Sequence, residues 1–200
     1  MPTAQDVIKE AVSSLHARRL KGLGFRKDGN TWVRTSKWPQ VINLQLSSWN
    51  TADEAKITLN FGVFVEEIGK IVGDSPLKGK LKEYHCMPRV RIGQLRPDRK
   101  DYWWEVTPSI SPGILADELF AEIADHGIPW LESLDSFEGL AKEFERQEID
   151  FKAAVAFHLA EMPIEAEAMM AKALSSANEH FRPRLLRIAR SLSIPIQSDD

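Results

Sequence analysis

The chain has 200 residues, 43% of them hydrophobic and 28% charged, with a formal net charge of -3. This suits one sizeable soluble core, or one domain with a helical appendage, and disfavours nucleic-acid and membrane binding, which draw on a strongly basic surface. A lone cysteine, Cys86, excludes an internal disulfide and a cysteine-based zinc site, and the N-terminal MPTAQDVIKE lacks a signal-peptide layout, so a reducing, cytoplasmic setting is expected.

Residues 3–21 read as an amphipathic helix, with Ile8, Ala11, Val12 and Leu15 on one face. Thr3 and Asp6 form a capping-box start, and Gly22 is the expected left-handed stop. Residues 30–34 (NTWVR) predict a short strand, and SKWP a turn into the central pair. In residues 40–50 (QVINLQLSSWN), Ile42, Leu44 and Leu46 alternate with Asn43, Gln45 and Ser47. Residues 56–65 (KITLNFGVFV) repeat the pattern, with Thr58, Asn60 and Gly62 opposite the apolar positions. Two neighbouring strands of this kind predict an antiparallel sheet with one buried and one wetter face.

A long Gly- and Lys-rich connection follows, with room for a short helix, and Glu66 and Glu67 are expected to end the second strand in water. RVRIGQL at residues 89–95 alternates again, and YWWEVT at 102–107 reads as a last strand. Ser111 and Pro112 open a helix carrying Leu115, Ala116, Leu119, Phe120 and Ile123 on one stripe, with Gly127 as its expected end. Beyond residue 130 the composition shifts to helical runs at 137–147, 150–161, 163–178 and 182–192, and residues 197–200 should fray. In these runs Ala154, His158 and Leu159 facing Ala166, Met170 and Leu174 resemble one tetratricopeptide-type hairpin, too few for a repeat array. The expected division is an α+β domain over residues 1–130 and a helical extension over 131–200, the latter a dimerisation or docking element.

The chemistry-bearing residues gather on the polar side of the sheet. Asn43, Gln45, Asn60, Arg91, Trp103 and Glu105 are predicted to share that face, provided Trp103 rather than Trp104 points to it. Convergent amides, a guanidinium, a carboxylate and an indole suit a small polar ligand. The plainer reading is a solvated sheet face held by cross-strand pairs. His85 beside Cys86 has no glycine elbow or third orienting group to make a nucleophile. The other histidines lack metal-ligand spacing. Basic clusters at Arg18, Arg19, Lys21, Arg26 and Lys27, and at Arg182, Arg184, Arg187 and Arg190, are explained by helix ends and solvated faces.

LKGLGFRKDGNTWVR (20–34), VINLQLSSWN (41–50), ITLNFGVFV (57–65), RIGQL (91–95) and YWWEV (102–106) together resemble the bacterial domain-of-unknown-function 4304 family over about residues 18–130. The resemblance implies an α+β domain and no activity, cofactor or catalytic residue. The expectation is therefore a four- to five-stranded antiparallel sheet packed against helices, with a C-terminal all-helical appendage. Its function is expected to be non-catalytic binding of a protein partner or small polar ligand, immunity-like in one concrete form, with a homodimer formed through the C-terminal helices. The alternative is a small enzyme in which Glu105 handles a proton while Arg91 holds an anion. Neither reading calls for a cofactor or a metal.

Overall fold

Alternation along residues 40–46 and 55–63 lays down the two longest strands, and the rest of the sheet adds to their edges. The computed structural model describes residues 2–196. In chain order the elements begin with α1 (Ala4–Leu15), β1 (Arg26–Asp28), β2 (Thr31–Arg34), β3 (Gln40–Leu46), β4 (Ala55–Val63), α2 (Glu66–Val72), β5 (Arg89–Arg91), α3 (Ile92–Leu95) and β6 (Trp104–Val106). They continue with α4 (Pro112–Glu122), α5 (Ile128–Ser133), α6 (Phe137–Arg146), α7 (Asp150–Leu159), α8 (Pro163–Ser176) and α9 (Arg182–Ser191). Two compact units result, one from Met1–Phe64 with Gly79–Glu132, the other from Val65–Lys78 with Ser133–Asp200. No described helix is long and apolar enough to cross a membrane.

The first unit is α+β. Its antiparallel sheet has six strands in the order β1-β2-β3-β4-β5, with β6 also on β4. Trp32, Ile42, Leu44, Ile57, Leu59, Phe61, Val90, Trp104 and Val106 are buried, and the register places them on one face. Helices α1 and α4 pack together, bringing buried Ile8, Ala11, Val12 and Leu15 to Leu115, Ala116 and Leu119. At about 25 cal/mol per Å² of apolar surface removed from water, this layer is the main source of the unit's stability.

Local chemistry explains where elements start and stop. Thr3 accepts from the Asp6 amide while the Asp6 carboxylate accepts from the Thr3 amide, a complete capping box. The first helix runs on through a π-helical turn, His16–Leu20, and ends at its cap Lys21; in the turn that follows, the left-handed residue is Gly24, φ +84°, not Gly22. Gly127 does not end α4 either. The chain passes through another π turn, Ile123–Gly127, into α5. Gly127 is needed for close approach, since a Cβ there would stand 2.2 Å from Phe61 Cε1. Phe120 is half-buried, outside the buried stripe, under the Arg19 guanidinium at 5.0 Å.

Three further readings change. Strand β1 was not legible as a strand and pairs with β2 through Arg26, Lys27 and Asp28. RVRIGQL is a strand only to Arg91, after which Ile92–Leu95 forms a helical turn. Gly93 lies so close to Lys100 that a Cβ would stand 2.0 Å from its carbonyl oxygen. Glu66 and Glu67 do not end a strand; they form the first turn of α2, where the helix dipole favours negative charge.

The second unit is all-helical. Helix α7 is buried from Lys152 to Phe157 and packs against α6, α8 and α2. Ala154, Ala166, Met170 and Leu174 are buried as the hairpin pattern requires, while His158 and Leu159 are half-exposed. Arg184 donates to the Val72 carbonyl from Nε at 3.0 Å, satisfying a carbonyl at the end of α2. The frayed end expected at residues 197–200 lies outside the described residues.

Candidate functional site

The register sets Asn43 opposite Asn60, Gln45 opposite Thr58, and Arg91 opposite Asn60 on its other side. Glu105 lies opposite Lys56, with Trp104 opposite Ile57. Alternation then puts Asn43, Gln45, Asn60, Arg91 and Glu105 on the wet face, and Trp103 joins them while Trp104 is buried. Five of the six predicted site residues are tied together by direct contacts. Glu105 is not.

The contacts form one directed chain. Arg91 Nη2 donates to Gln45 Oε1 at 3.4 Å, and Asn60 Nδ2 donates to the same oxygen at 3.0 Å and to Asn43 Oδ1 at 3.4 Å. Asn43 Nδ2 donates to the Asn30 carbonyl at 3.4 Å and to Thr31 Oγ1 at 3.2 Å. A guanidinium only donates and a carbonyl only accepts, so the two ends fix the orientation of all three amides between them. Within this network, Gln45 Nε2 and Asn60 Oδ1 are the amide atoms that make no hydrogen bond to another described residue.

Asp101 anchors the far end. Its carboxylate accepts from Trp103 Nε1 at 2.8 Å and from Arg91 Nη1 at 3.0 Å, and these bonds hold its pKa below the ordinary carboxylate value. The Arg91 guanidinium lies 5.1 Å from the centre of the Trp103 ring, a cation–π contact. Asp101 carries no strand periodicity, being in the RPDRKD turn, so alternation could not place it.

Glu105 takes another course. Lys56 Nζ lies 2.8 Å from its Oε1, and that hydrogen bond and charge lower the Glu105 pKa. Its partner Lys56 and Arg91's partner Asn60 are four positions apart on β4, about 13 Å at roughly 3.3 Å per residue. Glu105 and Arg91 share a face but lie well apart along it, and a carboxylate held ionised by an exposed lysine is a poor proton donor near neutrality.

Residues 79–88 run across this face as a strap. Asp28, on edge strand β1, pairs with Lys80 and Lys82 at 3.0 Å each, and those hydrogen bonds lower its pKa. The Lys82 amide donates to His85 Nδ1 at 3.1 Å, closing the turn Glu83–His85. His85 thus serves the strap's backbone. Cys86 is buried against Gly62, and burial pushes its thiol up to about 12, with Glu83 adding to the shift.

Between strap and strands lies a groove of about 340 Å³ lined by Gln45, Asn60, Glu83, Arg89, Val90 and Arg91. Glu83 and Arg89 were not singled out by pattern, since one lies in an irregular segment and the other at the start of a three-residue strand. Neither makes a salt bridge with another described residue. Among the described residues no group of histidine, cysteine and carboxylate side chains is placed to hold a metal ion.

The family described as Domain of unknown function (DUF4304) matches residues 16–133, the segment that holds every strand and the whole groove. No curated protein and no solved structure matches the chain. With more than half of its length accounted for in this way, the chain belongs to the DUF4304 family.

Proposed function

We propose that this chain is a non-catalytic binding module of the bacterial cytoplasm, whose groove on the polar sheet face takes a small polar ligand. The observation that carries the reading is the amide chain fixed from both ends, which leaves Gln45 Nε2 and Asn60 Oδ1 at the groove as one donor and one acceptor in set positions. Donors and acceptors ordered before binding cost little to immobilise, which is how a shallow site gains affinity. The separation of Glu105 from Arg91 argues against the acid–base alternative. A free, buried thiol at Cys86 suits a reducing compartment. Thermal-shift screening of a library of small polar metabolites at millimolar concentration tests the reading. A compound that raises Tm in the wild type and loses its effect in Asn60→Ala supports it. A library without such a compound removes it.

One observation favours a protein partner, with an immunity-like inhibitor as its concrete form. Trp49 is 88% exposed on a connection clamped by Asn50, which donates to the Lys56 carbonyl at 3.3 Å and accepts from the Lys56 amide at 2.8 Å. A rigidly presented indole is the side chain most suited to anchor an interface. A protein captured by the wild-type chain and lost with Trp49→Ala supports this second reading, and identical capture by both removes it.

A further inference from the structure

We infer that the ligand of the groove is a small zwitterion carrying an amide, the chemistry shared by a dipeptide and by free glutamine or asparagine. The inference rests on the groove being a binding site, and it names what that site selects. The strap contributes one carboxylate, Glu83, and strand β5 contributes one exposed guanidinium, Arg89, to the same lining. They carry opposite charge, and neither is spent in an ion pair among the described residues. A ligand with an ammonium for Glu83 and a carboxylate for Arg89 forms two charge-assisted contacts at once. A ligand with one charge meets an attractive group and a repelling one in the same small space.

The amides narrow the class. Gln45 Nε2 offers a donor and Asn60 Oδ1 an acceptor, both left over from a network that forbids either amide to flip. A ligand amide answers both, its carbonyl accepting from Gln45 and its N–H donating to Asn60. Arg91 is held by Asp101 at 3.0 Å and by Gln45 at 3.4 Å, so it shapes the wall and leaves anion recognition to Arg89. Size agrees with a small ligand: about 340 Å³ lies at the lower end of the roughly 300–1,000 Å³ that ligand pockets span.

Isothermal titration of the full chain with glycylglycine, alanylalanine, glutamine and asparagine, each beside its N-acetyl and its carboxamide form, tests this. Alanine serves as a zwitterion without an additional amide. The expected result is saturable binding of at least one unblocked amide zwitterion and at least roughly tenfold weaker binding of alanine and of both blocked forms. Glu83→Gln should remove the preference over the N-acetyl form, and Arg89→Gln the preference over the carboxamide. Both positions are at the surface, and circular dichroism confirms that each variant is folded. The dipeptide and free amino acid arms decide the source of the chemistry. Blocked forms that bind as tightly as the unblocked ones overturn the zwitterion and leave the groove standing. If no probe binds while another polar compound shifts Tm in an Asn60-dependent way, the inference alone falls; if nothing does, groove and inference fall together.

Discussion

Cys86 lies so close above Gly62 that a Cβ at residue 62 would stand 2.5 Å from the Cys86 Cβ and 3.1 Å from its Sγ. The strap crosses the sheet at this point because the sheet has no side chain there. Gly62→Ala must therefore push the strap outward, an overpacking that costs about 1–3 kcal/mol. A Tm several degrees lower in calorimetry is expected. The double variant Gly62→Ala/Cys86→Gly removes the colliding atom and should recover part of the loss, the coupling expected of side chains in direct contact. Additive losses in the two single variants would show that the strap does not rest on residue 62.

The same contact governs thiol reactivity. Cys86 is 1% exposed and its thiol is pushed up to about 12, first by burial and then by Glu83. At pH 8 only about one molecule in ten thousand carries the reactive thiolate. Ellman's reagent should leave the native chain unmodified for hours and titrate one thiol at once in denaturant. Gly62→Ala should speed the native reaction at least tenfold by lifting the strap. Rapid native labelling of the wild type would contradict the burial.

How far the sequence discloses these features depends on how each element meets water. Strands β3 and β4 are legible because Ile42, Leu44, Ile57, Leu59 and Phe61 must face a core while Asn43, Gln45 and Asn60 must not. The π-turn glycine at 127 looks like a stop because glycine ends many helices; only a contact with Phe61, 66 positions away in sequence, reveals its use. Strand β1 leaves no trace, since Arg26 and Lys27 are exposed and Asp28 half-buried, so no apolar side chain marks a period. Half of the groove was readable for the same reason. Gln45, Asn60 and Arg91 sit on periodic strands, whereas Glu83 and Asp101 reach the site from loops whose course is set by long-range pairs such as Asp28 with Lys80 and Lys82.

In the helical unit, Lys152 Nζ lies 2.7 Å from Asp74 Oδ2, and the lysine side chain is 7% exposed while the aspartate is 45% exposed. The two ends of this pair should respond unequally. Asp74→Ala strands a buried ammonium, which costs about 2–3 kcal/mol once the exposure of the aspartate is allowed for. Lys152→Met fills the same space with an apolar chain and leaves Asp74 in water beside Arg184 Nη2 at 3.5 Å, so it should cost less than half as much. Chemical denaturation of both variants provides the measurement. Equal losses, or a larger one for Lys152→Met, would mean that the pair is not buried asymmetrically.

His16 opens the first π turn with Nδ1 buried and without a hydrogen-bond partner among the described residues. Burial, and then the charges of Lys27 and Lys21, lower its pKa from the ordinary 6.5. The folded chain therefore keeps this imidazole neutral at pH values where the unfolded chain has already protonated it. Below about pH 6.5 the unfolded state binds the extra proton, so stability is full above that value and declines as pH falls toward the folded pKa. His16→Gln cannot take the proton. Urea unfolding at pH 7.5, 6.5 and 5.5 should show the wild type losing more stability than His16→Gln across the lower interval. The remaining histidines are common to both chains and cancel in the difference. Parallel pH dependence in the two proteins would mean that His16 is protonated as easily in the fold as out of it.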